Sequence, residues 1–138
     1  MIQRLSHVNL WVLNQDEALV FYRDKLGFSV HTDMSMGPDF RWLTMTAPGA
    51  PDQELILMEP KPHPMMDAQT ADQIRELVKK GALGVGVWKT ADCRKTYEEL
   101  QAKGVEFLQP ATEKFYGIEA MLKDNSGNVL CLIQPTMA

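Results

Sequence analysis

The sequence predicts an α+β fold built from two βαβββ modules, and three observations lead to this prediction. The 138-residue chain has a length typical of one domain. Its pattern repeats internally: Gly27 aligns with Gly104, and Trp11 with Trp88, each 77 positions further on. In each half, one strand with alternating apolar residues precedes a helical pattern and three more strand patterns.

Module one is predicted at residues 1–60. Its first strand covers 7–13, and Asn14 with Glu17 three residues later is a capping-box pattern that starts a helix. Gly27 ends this helix as a C′ glycine. Three further strands complete the module, at 28–33, 40–46 and 54–58.

Module two is predicted at residues 82–135. After a strand at 84–90, Asp92 is the expected N-cap of a helix that ends at Gly104. The segment DNSG at 124–127 predicts a hairpin turn. Three strands follow the helix, at 105–109, 118–123 and 128–133.

A Pro-rich link, EPKPHPMMD, and a short helix at about 70–80 separate the modules, so we assign 61–81 as the linker segment. This link is long enough for the modules to pair within one chain or to swap between two chains. Both arrangements stay open from the sequence.

Composition excludes several classes of protein. The net charge is −4 and the pI about 5.3, without a Lys/Arg cluster, so we expect no nucleic-acid partner. No leader and no apolar run of membrane length is present, which predicts no membrane association and a cytoplasmic location. Cys93 and Cys131 lack CxxC spacing, which argues against a disulfide framework and a structural zinc site.

Four stretches together resemble a known family, the vicinal oxygen chelate superfamily of glyoxalase, bleomycin-resistance and extradiol-dioxygenase proteins. They are HVNLWV…DEALVFYRDKLGF, ELILMEP, TYEELQAKGVEF and YGIEAMLKDNSGNVLCLIQP. The resemblance implies two βαβββ modules that form a cupped sheet around a ligand cavity. It also implies a dimer, since such proteins usually pair.

In the metal-using members of that family, four positions supply His, Glu or Gln ligands. His7 fits the first of them, but the equivalent position in module two is Gly84, or Val85 if the strand slips by one residue, and neither can donate a ligand. Counting back three residues from the Glu-Pro and Gln-Pro ends of the last strands gives Ile56 and Cys131. We therefore expect no bound metal and no other cofactor, with Glu59 as an alternative ligand if a metal does bind.

Strand alternation predicts which side chains line the cup. His7, Asn9 and Trp11 share one face of the first strand, while the apolar residues between them face the helix. By the repeat, Gly84, Gly86 and Trp88 form the equivalent row. Arg41 and Glu119 are further polar candidates, and the predicted ligand-binding residues are His7, Asn9, Trp11, Phe40, Trp42, Trp88, Phe115 and Tyr116.

An aromatic-lined cup is suited to a flat, conjugated ligand. Our first hypothesis is therefore a metal-independent protein, acting as a homodimer, that sequesters a planar aromatic natural product or drug, without a catalytic residue. The alternative is a glyoxalase-like or dioxygenase-like lyase or isomerase that uses a divalent metal or His7 as a general base. For His7, a purely structural role at the cavity wall is equally compatible with the sequence, and a paralogue without a ligand is a third possibility.

Overall fold

The structure is a computed structural model that describes residues 1–136. The chain divides into two compact units, Met1–Glu76 and Leu77 onward, and the division falls inside one helix. Each unit contains a four-stranded mixed sheet. The predicted α+β class and the βαβββ order of each module are therefore confirmed.

The first unit contains four strands with the order β1-β4-β3-β2. In this sheet β1 runs parallel to β4, whereas β3 is antiparallel to both of its neighbours. Helix α1 follows β1 and continues through a wider π-type turn at Phe21–Lys25. The elements are β1 (His7–Trp11), α1 (Gln15–Val20), β2 (Ser29–Ser35), β3 (Arg41–Thr46) and β4 (Glu54–Met58). Helix α2 (Ala68–Lys79) follows β4 and contains the division between the units.

The second unit repeats this topology with the order β5-β8-β7-β6. Again the first strand is parallel to the last, and the hairpins are antiparallel. The elements are β5 (Gly84–Lys89), α3 (Cys93–Ala102), β6 (Phe107–Lys114), β7 (Gly117–Lys123) and β8 (Val129–Pro135).

Both predicted N-caps are confirmed. The Asn14 side chain accepts a hydrogen bond from the backbone N–H of Glu17 at 2.9 Å. Asp92 accepts one from the backbone N–H of Lys95 at 3.0 Å. These bonds satisfy backbone donors that have no partner inside the helix, and so they fix where α1 and α3 begin.

The β1 strand follows the predicted alternation only in part. Leu10 and Val12 are buried, at 3% and 0% exposure, as expected for the face under the helix. Val8 was predicted to share that burial but is 48% exposed. Because β1 lies at the edge of its sheet, its first residues have a neighbouring strand on one side only.

The alternation predicted for β5 is also interrupted. The pairing of β5 with β8 shifts register between Gly84 and Val87, and Gly86 between them has a φ of +70°. A bulge of this kind changes the side to which later side chains point. The expectation that Gly84, Gly86 and Trp88 form one continuous row is therefore wrong.

The DNSG turn is built around a single carboxylate. One oxygen of Asp124 accepts hydrogen bonds from the backbone N–H groups of Ser126, Gly127 and Asn128, at 2.9, 3.0 and 2.9 Å. Gly127 has a φ of +115°, and a Cβ atom placed there would lie 2.5 Å from the carbonyl oxygen of Val78 at the end of α2. The turn therefore requires glycine at this position.

Candidate functional site

The first unit contains a cavity of about 440 Å³, large enough for a small organic ligand. It lies at the C-terminal ends of β1 and β4, beside the start of α1 and of β3. The first part of the Pro-rich link completes its wall. The lining residues are Asn9, Trp11, Gln15, Asp39, Phe40, Arg41, Met58, Glu59, Lys61, Pro62 and His63.

Three of the predicted ligand-binding residues, Asn9, Trp11 and Phe40, line this cavity together. Trp11 is half-buried, while Phe40 is 42% exposed although it is a large apolar side chain. Met58, the register partner of Trp11 on the neighbouring strand, adds a flexible thioether to the wall. The wall thus offers two aromatic rings and an adaptable apolar side chain to a ligand.

Arg41 is held by two carboxylates. Its guanidinium donates two parallel hydrogen bonds to Asp33, both at 2.8 Å, and a third to Asp16 at 2.6 Å. The bidentate pair lowers the pKa of Asp33, and the same contacts raise the pKa of Arg41. Arg41 therefore connects β3 to β2 and to the first turn of α1, and its charge is already compensated before any ligand arrives.

Glu59 was considered as a metal ligand, but its contacts are structural. One oxygen accepts a hydrogen bond from the backbone N–H of Gln15 at 2.9 Å, and the other lies 3.6 Å from the Lys61 ammonium. In the second unit Gln134 has the same role, since its side-chain oxygen accepts from the backbone N–H of Cys93 at 3.0 Å. Each module thus ends its last strand with a side chain that caps its own helix.

The Gln15 side chain is buried, at 6% exposure, and braces the floor of the cavity. Its amide nitrogen donates to the carbonyl oxygens of Leu57 and Arg41, at 2.8 and 3.1 Å. It therefore joins α1 to β4 and β3. Gln15 was not identified from the sequence. A polar residue in the first turn of a helix is usually solvent-exposed, so the sequence pattern gives no indication that this side chain is buried.

His7 does not line this cavity but belongs to a polar cluster on the same sheet. Its Nε2 lies 2.8 Å from Glu54 Oε2, and its Nδ1 lies 2.8 Å from the Ser6 hydroxyl. His31 Nδ1 lies 2.9 Å from the other Glu54 oxygen, which also accepts a hydrogen bond from Thr44 at 2.8 Å. These bonds lower the pKa of Glu54, the Thr44 hydroxyl contributing most and the imidazoles adding to it.

Glu54 is the main residue that sequence reasoning missed. The count back from Glu59 gave Ile56, whereas the parallel register places Glu54 opposite His7 and Ile56 opposite Asn9. Residues two apart in a strand share a face, so Glu54 lies on the same face of β4 as Ile56 and two residues nearer to the start of the strand. The side chain of His31 is 47% exposed, and its contact with Glu54 makes it part of this cluster.

Trp42 stands beside this cluster and not among the residues that line the cavity. Its ring centroid is 6.1 Å from that of His7, with the planes tilted by 48°. Of the eight predicted ligand-binding residues, His7 and Trp42 therefore form a second group in the first unit.

The second unit has its own polar cluster, centred on Glu119. Tyr116 donates its hydroxyl hydrogen to Glu119 at 2.7 Å, Gln109 donates at 3.3 Å, and the Cys131 thiol lies at 3.5 Å. The Tyr116 bond is the main reason that the pKa of Glu119 is lowered. Burial, followed by the Glu119 contact, raises the pKa of Cys131, which keeps this cysteine a thiol.

The remaining predicted residues of the second unit are Trp88 and Phe115. Trp88 is half-buried and donates its indole N–H to the carbonyl of Val85 on its own strand. Phe115 is 95% exposed and meets the Tyr116 ring edge to face, at 5.0 Å between centroids. Phe115 is thus available to a ligand or to another protein surface.

The residues at the four positions that supply metal ligands in the metal-using family members do not suit a divalent metal here. His7 already shares its Nε2 with Glu54, Gly84 has no side chain, and the Cys131 thiol is a donor towards Glu119. Residues 1–136 contain no group of three or more His, Cys, Asp or Glu side chains that could hold a metal ion.

Comparisons with known proteins agree with this fold. A model of the Glyoxalase/Bleomycin resistance protein/Dioxygenase superfamily matches residues 4–132. The uncharacterized protein YurT of Bacillus subtilis (strain 168) is 33% identical over 126 residues, which are 91% of this chain and 94% of YurT. In the described residues, moreover, we find no helix with the length and apolar character needed to cross a membrane.

Two solved structures are similar over nearly the whole chain. UcmS2 has 43% sequence identity and a TM-score of 0.90, with 96% of this chain and 98% of UcmS2 covered. TnmS3, an antibiotic binding protein from Streptomyces sp. CB03234, has 28% identity and a TM-score of 0.75, with 98% of each chain covered.

Proposed function

The chain belongs to the Glyoxalase/Bleomycin resistance protein/Dioxygenase superfamily, and we propose that it is a metal-independent binding protein that sequesters a planar aromatic natural product or drug. One observation carries the proposal, the cavity of about 440 Å³ with Trp11 and Phe40 in its wall. Sequestration requires affinity without chemistry, so neither a Lewis acid nor an activated nucleophile is needed.

The side chains in the cavity wall explain why the proposed ligand is planar and aromatic. Aromatic rings stack on Trp and Phe with a gain of about 0.5–1.5 kcal/mol beyond the burial of apolar area. The Asn9 amide at the same wall offers a hydrogen-bond donor and an acceptor that orient the ligand. Gln15 and Arg41 are engaged with the protein itself, so they hold the wall in place and leave recognition to the other side chains.

The comparison with TnmS3 supports a role in antibiotic binding, since that protein is an antibiotic binding protein with the same fold. On this basis we propose a role in drug resistance by sequestration. We further propose that it acts in the cytoplasm as a homodimer, and that Trp42, Trp88, Phe115 and Tyr116 are ligand-binding residues outside the cavity described above.

Native mass spectrometry of the purified protein with a panel of polycyclic aromatic natural products tests this proposal. We expect a dimer mass and an adduct whose ligand is released with its mass unchanged. An adduct that persists after treatment with EDTA agrees with metal-independent binding. A ligand released with an altered mass, or a stoichiometric metal that is needed for the adduct, would contradict it.

A second candidate, a metal-free lyase or isomerase, is favoured by one contact. Glu54 lies 2.8 Å from His7 Nε2, and a carboxylate that orients an imidazole is a usual arrangement for a general base. Ser6 occupies the other ring nitrogen, so a substrate has to displace that hydroxyl. Turnover that is lost in His7→Ala and kept in Trp11→Ala would establish this candidate in place of the first.

A further inference from the structure

Building on the proposed function, we propose that the cavity of the first unit selects a cationic ligand, a flat aromatic molecule that carries a protonated amine. The inference comes from the charges at the cavity. Four carboxylates lie in its wall or bind directly to its wall residues, against two cations. The six groups are Asp16, Asp33, Asp39, Glu59, Arg41 and Lys61.

Neither cation is available to attract an anionic ligand. Arg41 is shared by Asp33 and Asp16, at 2.8 and 2.6 Å, so two negative charges surround one positive charge. Lys61 lies 3.6 Å from Glu59 and is neutralised by it. A carboxylate or sulfonate ligand would have to break one of these pairs and would face the excess negative charge.

Two negative charges are in excess, one at Arg41 with its two carboxylates and the other on Asp39. Asp39 is exposed at the cavity, next to Phe40, and the ion pairs found in residues 1–136 do not include it. An ammonium group placed there would gain a carboxylate partner without displacing any existing contact.

The aromatic side chains in the cavity wall also favour a cationic ligand. The face of a Trp or Phe ring carries negative potential and attracts ammonium groups as well as other rings. Trp11 and Phe40 therefore accept either the flat body or the cationic end of the same molecule. Aromatic walls beside an unpaired carboxylate thus combine stacking with charge selection.

Three fluorescent anthracenes that differ in charge test the inference: 9-(methylaminomethyl)anthracene as the cation, 9-anthracenemethanol as the neutral compound and 9-anthracenecarboxylate as the anion. Titration at pH 7 and about 0.02 M salt, where screening is weak, is expected to rank the cation first and the anion last. In Asp39→Asn, the affinity for the cation should fall by about 2–5-fold, as for an exposed ion pair. The affinity for the neutral compound should not change.

Asp72→Asn on α2 is the matched control, because it removes one exposed carboxylate outside the cavity lining and should leave all three affinities unchanged. Raising the salt to about 0.3 M should reduce the preference for the cation. Equal affinities for the three compounds, each lost in Trp11→Ala, would overturn the charge inference and leave the proposed function standing. The failure of all three to bind would contradict both.

Discussion

Glu54 joins His7 and His31 through the two oxygens of one carboxylate. His7 Nε2 lies 2.8 Å from Oε2, and His31 Nδ1 lies 2.9 Å from Oε1. The three residues belong to β4, β1 and β2, and Thr44 on β3 donates to the same carboxylate. One acidic side chain thus connects all four strands of the first sheet.

This connection makes the stability of the protein depend on pH. The pKa of Glu54 is lowered in the folded state, so its contribution is fully present above the ordinary Glu pKa of about 4.3. It is lost as the pH falls through the lower, folded value. In Glu54→Gln, the decrease of the free energy of unfolding between about pH 5 and pH 3 should be shallower than in the wild type.

Urea unfolding at a series of pH values measures this difference. Glu113→Gln, which removes an exposed carboxylate on β6, serves as the control and should keep the wild-type slope. An identical pH dependence in Glu54→Gln and the wild type would show that the Glu54 contacts do not stabilise the folded state.

Glu59 should behave as a helix cap. Because Gln134 caps α3 with an amide oxygen, Glu59→Gln should keep the bond to the Gln15 N–H and lose little stability. Glu59→Leu removes the acceptor and should cost about 1 kcal/mol, the usual cost of losing a cap. Thermal unfolding of the two variants measures the difference, and equal losses would refute the capping role.

Gly127 should tolerate no side chain. In Gly127→Ala, the new Cβ meets the carbonyl oxygen of Val78 at 2.5 Å, in addition to the strain of the positive φ. We expect a loss of about 1–3 kcal/mol or more in the free energy of unfolding. Gly37→Ala is the control, since Gly37 also has a positive φ but nothing lies within 4 Å of its Cβ position. An equally small loss in both variants would show that the turn moves away from α2.

The parts of the fold that depend on neighbouring residues could be predicted from the sequence. The caps Asn14 and Asp92 are examples, because each bonds a backbone group three residues away. The Glu54–His7 contact depends on the register of two parallel strands that are far apart in the sequence, which no local pattern fixes. The bulge at Gly86 is likewise a property of the β5–β8 pairing.

In the candidate site, too, local sequence patterns predict some of the residues but not others. Alternation in β1 indicated Asn9 and Trp11, and both line the cavity. His63 is an exposed residue of the Pro-rich link, and its place in the cavity wall follows from the path of that link. The link folds back on itself through backbone bonds between His63 and Met66, at 2.9 and 2.8 Å, which composition alone does not predict.

Calorimetric titration of the EDTA-treated protein with a planar aromatic ligand, in the wild type and in Trp11→Ala, tests the central claim most directly. We predict that chelation leaves the affinity of the wild type unchanged and that Trp11→Ala lowers it about tenfold, through lost stacking and burial. Leu108→Ala, at an exposed position of β6, should bind like the wild type. Loss of binding on chelation, or full affinity in Trp11→Ala, would contradict metal-independent binding in the cavity of the first unit.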